Sequence, residues 1–147
     1  MKRLCVLLAF ALVGCSTAEY TPHVLTRGDY IEINHKMQPH IKKAKESLPY
    51  VKARYQSGEL IEDKLVLTVK LYDPDHSFEF ATVVVDDWTG DSVMGHITSK
   101  LFVLQQYNPG DMISFKDDEV VDWAIVKKDG KREGDYVRHF LQGCGAR

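Results

Sequence analysis

The chain has 147 residues, 44% hydrophobic and 27% charged, with a formal net charge of -2 and three cysteines. That length suits one domain with a single sizeable core, and the near-neutral balance gives no bias toward nucleic acid, which is not expected as a partner. Cys5, Cys15 and Cys144 are scattered and form no zinc-spaced pair, which excludes a disulfide scaffold and a cysteine-rich zinc site.

Lys2 and Arg3 precede ten uninterrupted apolar residues, Leu4 to Val13. A membrane-spanning helix needs roughly 20 such residues, so the run has the layout of a secretory signal peptide. It ends at Leu12-Val13-Gly14-Cys15, which resembles the lipobox of bacterial lipoproteins. The resemblance implies that the Cys15 thiol takes up a diacylglyceryl group, that cleavage occurs before Cys15, and that the new amino terminus is acylated by a fatty acid such as palmitate. Two or more acyl chains hold a protein stably at a membrane where one does not. The protein is then expected in the cell envelope, attached to the membrane through the lipid on Cys15. In a diderm bacterium, Ser16 after the cysteine implies the outer membrane, facing the periplasm.

On this reading residues 1–14 are a signal peptide, 15–28 a lipidated tether and 29–147 a single domain. Removing 14 residues from 147 leaves 133, and losing Lys2 and Arg3 takes the charge from -2 to -4. Cys144 then has no partner in its own chain and is either a free thiol or an interchain partner. Neither histidine nor a basic cluster beside it marks it as a nucleophile. The tether is polar and aperiodic, and its His23 has no metal-spaced neighbour.

Met37, Ile41, Ala44, Leu48, Val51 and Tyr55 are spaced to share one face of a helix, with Lys42, Lys45 and Lys52 largely on the other. Pro39 is expected in its first turn, a kink or break near Leu48 because of Pro49, and a stop at Gly58. His35 and His40 fall on different faces and make poor joint ligands. Beyond Gly58 the period becomes two. Leu65, Leu67, Val69 and Leu71 describe a strand with one buried face, closed by the turn residues Asp73, Pro74 and Asp75. Phe78 to Val85 and Val93 to Ile97 give two further strands, joined by a hairpin loop over Asp86-Asp87-Trp88-Thr89-Gly90-Asp91. The apolar run Leu101 to Leu104 is expected to be buried. Asn108-Pro109-Gly110-Asp111 makes a turn, Met112 to Lys116 a strand, and Asp117-Asp118 another turn. Val121, Trp123 and Ile125 define the inner face of the next strand, followed by a two-residue hairpin at Asp129-Gly130. Asp135 is expected to cap a short helix carrying Tyr136, Val137, Phe140 and Leu141 on one face, stopped by Gly143. The fold class is therefore α+β: an N-terminal amphipathic helix on an antiparallel, partly barrel-like sheet of about five strands, with a short C-terminal helix.

Gly110-Asp111, Phe115 and Val121-Asp122-Trp123 resemble a bacterial family of unknown function, that of the YegJ-like proteins. Ala44 to Leu48, Phe78 to Ile97 and Gly134 to Leu141 fall where that family has its helix, hairpin and last element, so the resemblance covers most of residues 30 to 142. Thr98-Ser99-Lys100 departs from an Asn, an acid and a Pro that the family often shows there. The resemblance implies a fold and no reaction.

Phosphate loops, nucleophile elbows and His-Glu-x-x-His motifs are absent from the sequence. Two local constellations remain. Asp86, Asp87 and Asp91 around Trp88 read first as ordinary turn residues, with a partner contact at an exposed hairpin tip or a calcium site as alternatives. Asp73, Asp75, His76 and His96 are candidate metal ligands if the fold brings them together. Charge is polarised: residues 27 to 58 carry seven Lys or Arg against three acids, and residues 73 to 122 carry eleven acids against Lys100 and Lys116. This asymmetry either steers a charged partner or draws the two halves together, and the second is preferred. The leading functional expectation is a non-catalytic binding module for a protein or small molecule, with no cofactor. The alternatives are an immunity or inhibitor lipoprotein against an envelope toxin and a metal-assisted hydrolase.

Overall fold

A computed structural model describes residues 27–144, with side-chain surroundings given for residues 31–143. Cys15, the signal stretch and most of the tether lie outside the described residues, as does the side chain of Cys144. The elements are α1 (Arg27–Gln56), β1 (Lys64–Tyr72), β2 (Phe78–Thr89), β3 (Ser92–Ile97), β4 (Met112–Lys116), β5 (Val120–Val126), β6 (Arg132–Gly134) and α2 (Tyr136–Cys144). All pairings are antiparallel, in the order β4-β3-β2-β1-β5-β6. This is an α+β fold as expected, but the sheet has six strands and is not closed. The short β6 is the added strand, and β4 and β6 remain edges, so the barrel-like expectation is corrected.

Helix α1 buries the stripe read from its spacing: Met37, Ala44, Leu48 and Val51 are at most 9% exposed. It begins at Arg27, twelve residues before Pro39, and continues through both prolines. Pro39 and Pro49 sit on its solvent side, where water can satisfy the carbonyls of His35 and Lys45 that each proline leaves without a donor. The expected first-turn proline and the break near Leu48 are therefore absent. Gly58 does end the helix, at φ +80. Its N–H donates to the Tyr55 carbonyl and the Glu59 N–H to that of Arg54, each at 3.1 Å, the paired bonds of a Schellman stop. Arg54 fixes this corner by pairing with Glu59 at 2.7 Å and Glu133 at 2.9 Å.

Leu65, Leu67, Val69, Ala81, Val83, Val93, Ile97, Trp123 and Ile125 pack in the core, all at most 3% exposed. The Trp123 indole N–H donates to Ser47 Oγ at 2.9 Å and the Ala44 carbonyl at 3.2 Å, pinning β5 to α1. Two bulges alter the alternation. On β5 the register slips between Thr68 and Val69 of β1, so Val120 faces the core and Val121 is displaced from the face it was assigned. On β2 the slip lies between Val85 and Asp87. Strand β2 therefore runs on to Thr89, the hairpin turn shrinks to Gly90-Asp91, and Trp88 turns inward at 3% exposure. The exposed hairpin tip expected for Trp88 is corrected by this bulge.

Other local expectations divide. The Lys127 N–H donates to the Lys131 carbonyl and the Gly130 N–H to that of Lys127, giving a loop of three residues instead of two. Leu104 is buried, but Phe102 and Val103 are 55% and 52% exposed, so the apolar run at Leu101 to Leu104 is only partly covered. The Glu79 carboxylate accepts N–H groups from Phe102 and Val103 at 2.9 to 3.0 Å, which ties that loop to β2. At the free edge, the Lys116 N–H donates to the Glu119 carboxylate at 2.7 Å.

Candidate functional site

The face of the sheet turned away from α1 carries ordered cross-strand rows. Thr68 pairs with Asp122 on one side and Thr82 on the other, and the Thr98 N–H reaches the Thr82 carbonyl at 2.8 Å. This produces a row Asp122–Thr68–Thr82–Thr98. The parallel row runs Ala124–Val66–Val84–His96–Met112. Thr82 and Thr98 hydroxyls are 3.0 Å apart. Helix α2 stands over the β5 end of these rows and closes one side of a groove of about 650 Å³. Val66, Phe80 and Ala124 with the threonines form its floor, and Val137, Arg138, Leu141 and Gln142 its wall. A volume in this range, mostly apolar with a few polar groups, is typical of a ligand site.

Asp122 is the structural centre of that groove. It is 2% exposed, and its two oxygens accept four backbone N–H groups: Trp123 at 2.9 Å, Tyr136 at 3.1 Å, Val137 at 2.9 Å and Arg138 at 3.3 Å. It therefore caps α2 from a neighbouring strand and places a negative charge at the positive end of the helix. Burial pushes its carboxyl above the ordinary value, and those N–H groups pull in the opposite direction. The capping role expected of Asp135 is corrected. Asp135 adopts φ +60, donates its N–H to the Trp123 carbonyl at 2.8 Å, and gives its carboxylate to the Arg132 guanidinium. Gly134 makes this turn possible, because at φ +86 a Cβ there would lie 2.4 Å from the Trp123 carbonyl oxygen. Arg138 is the available cation of the groove. Its guanidinium is about half exposed and approaches the Asp135 carboxylate at 3.6 Å.

The candidate residues read from sequence are dispersed. Asp86 pairs with His96 at 2.9 Å, Asp87 accepts the Thr89 hydroxyl at 2.9 Å, and Asp91 faces Lys116 at 3.5 Å. These carboxylates thus turn to three separate neighbours. Asp73, Asp75 and His76 occupy the β1–β2 turn, where Asp73 accepts the Gln105 N–H at 3.2 Å and His76 takes φ +68. Hydrogen bonds from the Ser77 backbone and hydroxyl hold the Asp75 carboxyl below its ordinary value. His96 lies opposite Val84, six residues along β2 from that turn, or about 20 Å at the rise of a strand. His96 therefore does not join the other three proposed ligands. Among the described residues no group of three or more His, Cys, Asp or Glu side chains is placed to hold a metal ion.

The charge asymmetry is partly internal contact. Lys52 pairs with Asp117 at 2.7 Å, and Lys45 donates to the Asp118 carbonyl at 2.8 Å. Sequence reading missed Asp122 as a cap and Arg138 as a groove cation. The signal for the first was an acid between Val121 and Trp123 in an apolar strand, a position where burial without partners would be costly. Among the described residues no helix is long and apolar enough to cross a membrane.

One long helix against an open six-stranded antiparallel sheet, with a second helix capped from β5, defines the class of domain. The chain belongs to the DUF2314 family, described as uncharacterized proteins conserved in bacteria, which it matches over residues 34–144. Neither a curated protein nor a solved structure matches it.

Proposed function

We propose that this chain is an envelope lipoprotein, acylated on Cys15, whose folded domain is a binding module that takes its ligand in the groove beneath α2. The observation that carries the binding reading is the groove itself: about 650 Å³ over an apolar and hydroxyl-bearing floor, with the Arg138 guanidinium at its wall. The anchor reading rests on the resemblance of Leu12-Val13-Gly14-Cys15 to a lipobox. Together they describe a domain held at a membrane with its open sheet face free for a protein or small molecule. The inhibitor alternative has less support, since part of the charge polarity behind it joins α1 to the residues after β4.

The test combines labelling with site-specific crosslinking in intact cells. Labelled palmitate should enter the wild type and not Cys15→Ser. A photo-crosslinking residue at Thr82, on the groove floor, should capture a ligand that the same residue at exposed Lys42 does not, and capture should fall when Cys15→Ser releases the protein from the envelope. Absence of palmitate sinks the anchor; equal capture from both positions, or capture from neither, sinks the groove.

A further inference from the structure

We propose that Met94, His96 and Met112 form a binding site for a soft monovalent cation, Cu(I), on the open face of the sheet at its β3–β4 end. His96 and Met112 are direct cross-strand partners, while Met94 precedes His96 by two residues and pairs with Ser114. The three therefore share one face. Directly opposed residues have Cβ atoms about 4.5–5.5 Å apart and diagonal ones about 7–8 Å, within reach of one ion for two thioether arms and an imidazole. Among the described residues neither α1 nor α2 packs substantially on this end, and Met94 and Met112 are 43% and 57% exposed, so packing does not account for them.

Ligand chemistry selects the metal. Thioethers are soft donors that favour Cu(I), imidazole also suits copper, and hard dications prefer oxygen. His96 is already oriented: its Nδ1 lies 2.9 Å from Asp86 Oδ2. With the Nδ1 proton donated to that carboxylate, Nε2 keeps its lone pair for a metal, the carboxylate–histidine–metal arrangement of many metal sites. Asp86 also places a negative charge behind the ligand that would balance the cation. The histidine singled out in the sequence is retained, with thioethers in place of the distant Asp73, Asp75 and His76.

The experiment uses the unprocessed full chain, which retains Met1 and Cys5, with Cys5, Cys15 and Cys144 alkylated so that thiols cannot compete. Anaerobic titration with Cu(I) against a chromogenic chelator should give one bound ion per chain. In the same protein carrying methyl-labelled methionine, Ag(I) should shift the Met94 and Met112 methyl signals and leave those of Met1 and Met37 in place. Met94→Leu and Met112→Leu, which conserve volume, should each weaken binding at least about tenfold, and Asp86→Asn about 10–100-fold through the imidazole. Circular dichroism should show all three variants folded. Binding that survives both leucine variants, shifts confined to Met1 or Met37, tighter binding of Zn(II) than of Cu(I), or no competition with the chelator would each overturn the assignment.

Discussion

Leu67 and Thr68 are neighbours in β1 and occupy opposite environments. Leu67 is 0% exposed beneath α1, with its cross-strand partner Val83 at the same value. Thr68 faces the other way, in line with Asp122, Thr82 and Thr98. Among the described residues, one face of the sheet excludes water over most of its width and the other is roofed only near β5. The contrast teaches that most of the buried core lies on one face beneath α1, while alternate residues of the same strands present hydroxyls, an imidazole and thioethers on the other.

The largest expected effect lies on the covered face. Trp123→Ala should cost about 3–5 kcal/mol, since it removes a buried indole and its bonds to α1, and urea unfolding measures it. Asp122→Ala should come next, at about 2–4 kcal/mol, because four N–H groups lose their acceptor. Asp122→Asn, which keeps an acceptor oxygen, should cost less; equal losses would mean that α2 does not depend on that cap. Gly134→Ala should cost about 1–3 kcal/mol through its positive φ and the approach to the Trp123 carbonyl, read as a lowered melting temperature. On the open face, Thr82→Val should change stability by less than about 1 kcal/mol. A loss there as large as at Trp123 would abolish the distinction between the faces.

The last prediction concerns pH. Because burial raises the Asp122 carboxyl above its ordinary 3.8, the folded state holds that proton to higher pH than the unfolded state. The resulting stabilisation is complete below the unfolded value and is lost as pH rises through the raised folded value. The stability of the wild type relative to Asp122→Asn should therefore decline upward from about pH 4 and then level off. Paired denaturant titrations across that range check it, and a relative stability that climbs with pH would reverse the sign.

The periodic parts of this fold were legible in the sequence because local spacing determines them. The stripe from Met37 to Tyr55, the alternation of β1 and the span of β4 all appear as read. What escaped were effects of one extra residue or of distant chain. A bulge between Val85 and Asp87 turns Trp88 inward, and another in β5 exchanges Val120 for Val121; neither announces itself in alternation. Asp122 caps a helix that starts 14 residues later, so no neighbouring pattern could pair them. His96 and the turn residues Asp73, Asp75 and His76 stand far apart along β2, a separation set by strand length and not by residue type.

The Lys116–Glu119 contact has a consequence for crowding. Bonds from Ile97 to Asp111 and from Asp117 to Asp91 place residues 111 and 117 toward β3, so alternation turns the main-chain groups of Met112, Ser114 and Lys116 outward along β4. Of those three outward N–H groups, the Lys116 donor is already occupied by Glu119. A foreign strand approaching this margin finds only a short stretch to zip against, and an acid at its end. Glu119 thus acts as a stopper against edge-to-edge growth, a safeguard whose value rises wherever many copies are held close together.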